Sequence, residues 1–102
     1  MKSNYQIKID EEALLDIKEA TIWYNRKLDG LGNRFSKQVK KQINSLKNNP
    51  FICEIRYQNV CCFPIKNFPF MIHYTIEQTS LFVEIFAVYH TSRNPTIWED
   101  RK

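Results

Sequence analysis

The chain has 102 residues, of which 43% are hydrophobic, and a formal net charge of +4. This is enough apolar material for one modest core, so we expect a single domain that covers residues 1–102. No apolar run approaches the roughly 20 residues of a membrane-spanning helix, and the N-terminus lacks the apolar centre of a signal peptide. We therefore expect a soluble, cytoplasmic protein without a membrane partner.

The N-terminal half predicts a short strand followed by two helices. Residues 5–9 alternate apolar and polar side chains, which is typical of a strand. Asp10 fits the N-cap of a helix of about 18 residues, and Trp23 widens the apolar stripe of this helix. Gly30 is placed to end it, and a second stripe of the same period occupies residues 31–46. The short connection predicts an antiparallel helical hairpin.

The C-terminal half predicts four strands. Runs at 51–57, 60–66, 68–76 and 81–90 are rich in β-branched and aromatic residues and are separated by short polar turns. Pro64 in the second run favours an edge position or a bulge. The sequence therefore predicts an α+β, two-layer domain with the order β-α-α-β-β-β-β. The helical hairpin is expected to pack on one face of a mainly antiparallel sheet and to leave the other face for function.

The last predicted strand leads to a candidate polar site. Apolar side chains occupy both faces of residues 81–90, which is typical of a central strand. Odd-numbered residues up to Tyr89 are expected on one face, and even-numbered residues up to His90 on the other. His90 and Arg93 stand where this strand ends. A rigid strand that presents an imidazole and a guanidinium often builds a polar site, but two solvated side chains fit the spacing equally well.

The three cysteines, Cys53, Cys61 and Cys62, are a poor disulfide framework because their number is odd and two are adjacent. The chain has no CxxC pair and only two histidines, so a zinc site has little support. We expect reduced thiols, no metal and no cofactor.

The positive charge is concentrated in the second predicted helix. Between Gly30 and Cys53 the sequence has no acidic residue. The basic residues there that lie away from the apolar stripe are Lys37, Lys40, Lys41 and Lys47. A field of this sign favours an anionic partner, either nucleic acid or an acidic protein segment. A solvated helix face is the alternative.

Several patterns, in this order, resemble the RelE/ParE family of toxins from type II toxin–antitoxin systems. They are Trp23-Tyr24, Gly30-Leu31-Gly32 with Phe35, Asn49-Pro50, Phe68-Pro69-Phe70 with Ile72 and Tyr74, and Ala87-Val88-Tyr89-His90 with Arg93, Pro95 and Trp98. The resemblance implies a toxin, of the kind found in plasmid stabilisation modules, that a cognate antitoxin holds inactive. The acidic or amphipathic end of such an antitoxin would bind the basic helix and the exposed sheet edge.

The family divides by target, and the shared fold does not choose between the targets. RelE-like members resemble ribosome-dependent endoribonucleases that cut mRNA, whereas ParE-like members poison DNA gyrase without hydrolysis. Related sequences commonly carry a basic residue near the position of Cys61, and its replacement removes a candidate cation. A family member that has lost toxicity and binds only its antitoxin is a third reading.

Metal-free RNA cleavage requires a base, an acid and cations that stabilise the phosphorane. The candidate catalytic residues are His90, Arg93, Arg56 and Lys66, and Tyr89 offers a hydroxyl. His90 would act as acid or base, and the two arginines would hold the phosphate. Alternatively, Arg93 pairs with Glu99 or Asp100. From this set we expect mRNA cleavage on the ribosome slightly ahead of gyrase poisoning.

Overall fold

The computed structural model describes residues 4–92, which form two helices and one five-stranded sheet. The elements in chain order are β1 (Gln6–Ile9), α1 (Glu11–Lys27), α2 (Leu31–Ser45), β2 (Ile55–Tyr57), β3 (Val60–Pro64), β4 (Phe70–Glu77) and β5 (Phe82–His90). Across the sheet the strand order is β1-β5-β4-β3-β2. β1 pairs with β5 in parallel, and the other neighbours are antiparallel. The predicted α+β architecture is confirmed.

Both helices pack on one face of the sheet through an aromatic cluster. Its members are Tyr24 on α1, Phe35 on α2, Phe68 just before β4, and Phe70 at the start of β4. Their ring centroids lie 5.0–6.1 Å apart, mostly in edge-to-face geometry. Each such pair contributes about 0.5–1.5 kcal/mol beyond its buried area. The even-numbered residues from 68 to 76 all belong to this helix-side core, as the alternation predicts.

β2 is shorter than the strand that we predicted at 51–57. Only Ile55–Tyr57 is extended and paired, whereas residues 51–54 form turns and bends. The apolar side chains of Phe51 and Ile52 are exposed, and the Tyr74 hydroxyl donates a hydrogen bond of 2.8 Å to the Pro50 carbonyl. Apolar composition suggested a longer strand, but this contact anchors the segment as a loop.

A β-bulge in β5 exchanges the faces of its last residues. His73 pairs with Ala87 but Tyr74 pairs with Ile85, so Phe86 is the extra residue on β5. Ile85 and Val88 therefore both lie in the helix-side core, although the simple alternation placed them on opposite faces. The expected pattern is correct before the bulge and wrong after it, because a bulge shifts the two-residue period by one.

The sheet face opposite the helices is not an open polar surface. It carries a second buried cluster, whose members are Val60, Cys62, Met71, Phe86, Ala87 and Tyr89, with Tyr57 packed against it. We expected this face to be left for function, and the described residues instead fill it with apolar and aromatic side chains.

Within residues 4–92, neither helix combines the length and the apolar character needed to cross a bilayer.

The helical hairpin depends on a close contact at Gly32. Its backbone N–H donates a hydrogen bond of 2.7 Å to Oδ1 of Asn25, and a Cβ added there would overlap the Thr21 carbonyl oxygen. Gly30 has a positive φ of 85° but open space around it. The two glycines therefore serve different purposes, close helix approach and a left-handed turn.

We predict that Gly32→Ala lowers the free energy of unfolding by about 3 kcal/mol, because the new methyl group forces the two helices apart. Gly30→Ala is the matched control and should cost only about 1 kcal/mol, the penalty of a left-handed conformation. Urea unfolding followed by circular dichroism measures both values. Equal losses in the two variants would contradict the role assigned to Gly32.

Candidate functional site

His90 lies where β5 meets the side of α1. It pairs with Phe70 on β4, and the two ring centroids are 5.1 Å apart. Its Nδ1 accepts a hydrogen bond of 3.1 Å from the Ser92 backbone N–H and lies 2.8 Å from the Ser92 hydroxyl. Because Nδ1 is an acceptor, the proton of the neutral ring resides on Nε2. Arg93, its predicted companion, lies outside the described residues.

A hydrogen bond between α1 and β5 fixes the helix beside this strand. The Val88 backbone N–H donates to Oδ2 of Asp16 at 2.9 Å. The pairing of β1 with β5 ends at Ile9 and Ile85, so this N–H lies beyond the part of β5 that β1 covers. The Asp16 carboxylate takes the place of a strand carbonyl at this position.

A cleft of about 280 Å³ lies between α1 and the end of β5. We call it the α1–β5 cleft, and it is lined by Asp16, Glu19, Ala20, Trp23, Phe70, Val88 and His90. The sequence pattern assigned Trp23 to the packed stripe of α1. The structure instead leaves 53% of this side chain exposed at the cleft. The spacing Asp16, Glu19, Trp23 on one helix was the available signal for this site.

The other predicted catalytic residues are distributed over the sheet. Lys66 is exposed in the turn after β3, at the same end of the sheet as His90, because the Ile65 N–H beside it binds the Phe70 carbonyl. Arg56 is exposed on β2, which is three strands away from β5, or about 14 Å across the sheet. Tyr89 is only 1% exposed and belongs to the cluster on the opposite face.

Gln42 on α2 holds the turn that carries Lys66. Its side-chain amide donates a hydrogen bond of 2.8 Å to the Pro64 carbonyl, and its Oε1 accepts one of 2.8 Å from the Lys66 backbone N–H. Gln38 donates to the same oxygen at 2.7 Å. A buried amide with these bonds stabilises the fold. No feature of the sequence around Gln42 predicts this role.

His73 and Cys62 form a buried cross-strand pair on the face opposite the helices. His73 is fully buried, and its Nδ1 lies 3.0 Å from the Tyr57 hydroxyl and 3.6 Å from the Cys62 sulfur. Burial raises the pKa of the Cys62 thiol to about 11, and the nearby positive charge of Arg56 only partly opposes this shift. A thiol with this pKa is protonated at neutral pH and is a poor nucleophile.

Within the described chain, no three His, Cys, Asp or Glu side chains are grouped closely enough to hold a metal ion.

The basic face of α2 divides into two surfaces. Lys37 and Lys41 line a cleft of about 400 Å³ together with Arg34 and Phe68. Lys40 and Lys47 line a second groove of about 320 Å³ on the other side of the helix, with an apolar floor made by Ile7, Ile9 and Ile43. We call this second surface the β1–α2 groove. All four lysines are exposed, as the apolar stripe predicts.

The fold is shared with toxins of solved toxin–antitoxin systems. The chromosomal ParDE system of P. aeruginosa matches with a TM-score of 0.77 at 12% identity, over 86% of this chain and 97% of that chain. The intact E. coli RelBE complex matches with a TM-score of 0.67 at 18% identity, over 87% of this chain and 99% of that chain. The archaeal RelE–RelB complex from Pyrococcus horikoshii matches with a TM-score of 0.59 at 9% identity, over 89% of this chain and 99% of that chain. No curated protein matches this chain in sequence.

These similarities define the class of fold, a small α+β domain that these toxin–antitoxin structures share. The family model for the ParE toxin of the type II toxin–antitoxin system parDE matches residues 7–95. The chain therefore belongs to the ParE toxin family, within the wider RelE/ParE group, and the resemblance seen in the sequence is confirmed.

The raised pKa of Cys62 predicts a loss of stability at alkaline pH. Thiols of the unfolded chain titrate at about 8.5, so the folded protein holds this proton more tightly. The contribution of Cys62 to the free energy of unfolding should therefore be fully present below about pH 8.5 and be lost as the pH rises towards 11. We expect the melting temperature of Cys62→Ala to fall less between about pH 8 and pH 10 than that of the unchanged protein. Parallel losses in both proteins would contradict this assignment.

Proposed function

We propose that this chain is a toxin that acts by binding DNA gyrase, without cleaving RNA, and that a cognate antitoxin neutralises it in the cytoplasm. One observation supports this choice above all. The described candidates for RNA cleavage are spread over two strands, one turn and two faces of the sheet, with His90 beside α1, Arg56 on the far edge strand and Tyr89 buried on the opposite face. Acid–base catalysis requires its groups within about 2.6–3.2 Å of the atoms that they serve.

The position of Cys61 supports the same proposal. Cys61 is buried in the helix-side core, and its neighbour Cys62 is buried on the other face. A cysteine side chain is neutral or negative, and burial raises the pKa of both thiols and keeps them neutral, so neither replaces the missing cation. Neither of these two positions therefore supplies the positive charge that a phosphorane requires.

Ribosome-dependent mRNA cleavage is the second candidate. His90 and Lys66 lie at the same end of the sheet, and both are accessible enough to contact a ligand. Arg93 follows His90 closely in sequence. A site made from these three residues would differ from the full set that the sequence suggested, because it omits Arg56 and Tyr89.

Controlled expression in a bacterial host separates the two candidates. We predict that expression without antitoxin traps gyrase–DNA cleavage complexes and induces the DNA damage response before translation slows. Toxicity should survive in His90→Ala combined with Lys66→Ala, since a binding toxin does not need an acid–base pair. Mapping of mRNA 5′ ends should show intact transcripts.

The contrary result is equally specific. Transcripts cut at ribosome-occupied codons, together with loss of toxicity in the double variant, would assign the chain to mRNA cleavage instead. Circular dichroism of the purified variant establishes that it is folded. Lys18→Ala, an exposed change on the outer side of α1, is the matched control for expression level.

The β1–α2 groove is the surface that we propose for the antitoxin. β1 is an edge strand. The backbone N–H groups of Gln6 and Asp10 donate hydrogen bonds to the carbonyls of Leu81 and Ile85, and the N–H groups of the alternate residues face outward. The outward-facing backbone N–H of Tyr5 donates a hydrogen bond of 2.9 Å to the Lys47 carbonyl, and this bond closes one end of the groove. The apolar floor with Lys40 and Lys47 at the rim fits an extended segment with acidic and apolar side chains.

We predict that Lys40→Glu combined with Lys47→Glu weakens antitoxin binding about tenfold or more, because it reverses the charge at the groove. Lys37→Glu combined with Lys41→Glu is the matched control, since it makes the same change of charge at the other cleft beside α2. Titration calorimetry with the purified antitoxin measures both. Equal weakening by the two pairs would show that the antitoxin responds to the overall charge of α2 and not to this groove.

A further inference from the structure

We propose that the α1–β5 cleft is a binding site for an arginine side chain of a partner protein. This inference concerns a different surface from the β1–α2 groove. It stands whether gyrase or the ribosome is the target, because it rests on the chemistry of the cleft alone.

The first support is the exposed aromatic wall. Trp23 is held against Tyr24 by an edge contact with ring centroids 5.1 Å apart, so the indole is fixed although it is half exposed. Lys27 Nζ lies 4.9 Å from the Trp23 ring centroid, so this indole already interacts with a cation. Phe70 provides a second aromatic surface in the same cleft. A planar guanidinium stacks on such surfaces better than an ammonium group does.

The second support is the charge of the cleft. Asp16 and Glu19 both line it, in a chain whose net charge is +4. The Val88 N–H orients the Asp16 carboxylate, and Glu19 lies one helical turn further along α1. Asp16 is already engaged by α1–β5 packing, and the exposed Glu19 carboxylate repels phosphate and attracts cations, so this surface suits a cationic group better than a nucleic acid backbone. The charge and the aromatic walls therefore favour the same ligand.

The third support is size. The cleft volume of about 280 Å³ lies at the lower limit of the roughly 300–1,000 Å³ of sites that hold whole small molecules. It is adequate for the head group of one side chain. His90 closes one side of the cleft, where its Nδ1 is held by Ser92. A partner side chain that reaches inward from the surface meets all these requirements.

Nuclear magnetic resonance of the Trp23 indole Nε1–H tests this proposal directly. Trp98→Phe leaves Trp23 as the single indole, and N-acetyl-arginine amide serves as the probe. We expect a saturable shift of this resonance below about 50 mM ligand, a range that covers one cation–π contact combined with a charge pair. N-acetyl-citrulline amide has nearly the same shape without the charge and should bind at least about tenfold more weakly.

Two variants make the test specific. Glu19→Gln should weaken the arginine probe severalfold and leave the fold unchanged, because Glu19 is exposed. Glu11→Gln removes an equivalent exposed charge from the same helix outside the cleft and should have no effect. The proposal is overturned if the citrulline probe binds as well as the arginine probe. Absence of a saturable shift, or a shift that Glu19→Gln does not alter, would overturn it too.

Discussion

The hydrogen bond from the Val88 N–H to Asp16 sets the geometry on which the candidate sites depend. β1 covers β5 only as far as Ile85, and a buried backbone N–H without an acceptor costs about 1–3 kcal/mol. A side chain from α1 meets this need where the short strand does not. The helix is thereby held against the end of β5, and the cleft beside His90 is the space that remains between them.

The bulge at Phe86 then decides which side chains reach that cleft. Without it, the alternation of β5 would place His90 on the face opposite Ile85. The extra residue returns Val88 to the helix-side core, and His90 lies on the same side, against Phe70. Tyr89 is sent to the opposite cluster instead. Alternation alone already separates Tyr89 from His90, and the bulge decides that His90 is the one that faces the helices.

Periodicity predicted the parts of the fold that repeat regularly, and it failed where the period is broken. The amphipathic stripes placed α1 and α2 correctly, and the even-numbered residues from 68 to 76 share a face as expected. The bulge and the loop at 51–54 were not predictable, because both depend on contacts with residues far away in sequence, such as the bond between Tyr74 and Pro50. The basic face of α2 was predicted as one surface. It became two because β1 and the β3–β4 turn lie on different sides of the helix.

The parallel pairing of β1 with β5 has a consequence for the order of events during synthesis. Gln6 has its partner in Phe82, so the first strand cannot pair until residues 82–85 have left the ribosome. Closing such a long loop is slow compared with forming the helical hairpin or the β3–β4 ladder. During synthesis the N-terminal strand therefore stays outside the sheet until β5 is available to pair with it. The edge strand that borders the β1–α2 groove is therefore completed last, from residues that are synthesised first.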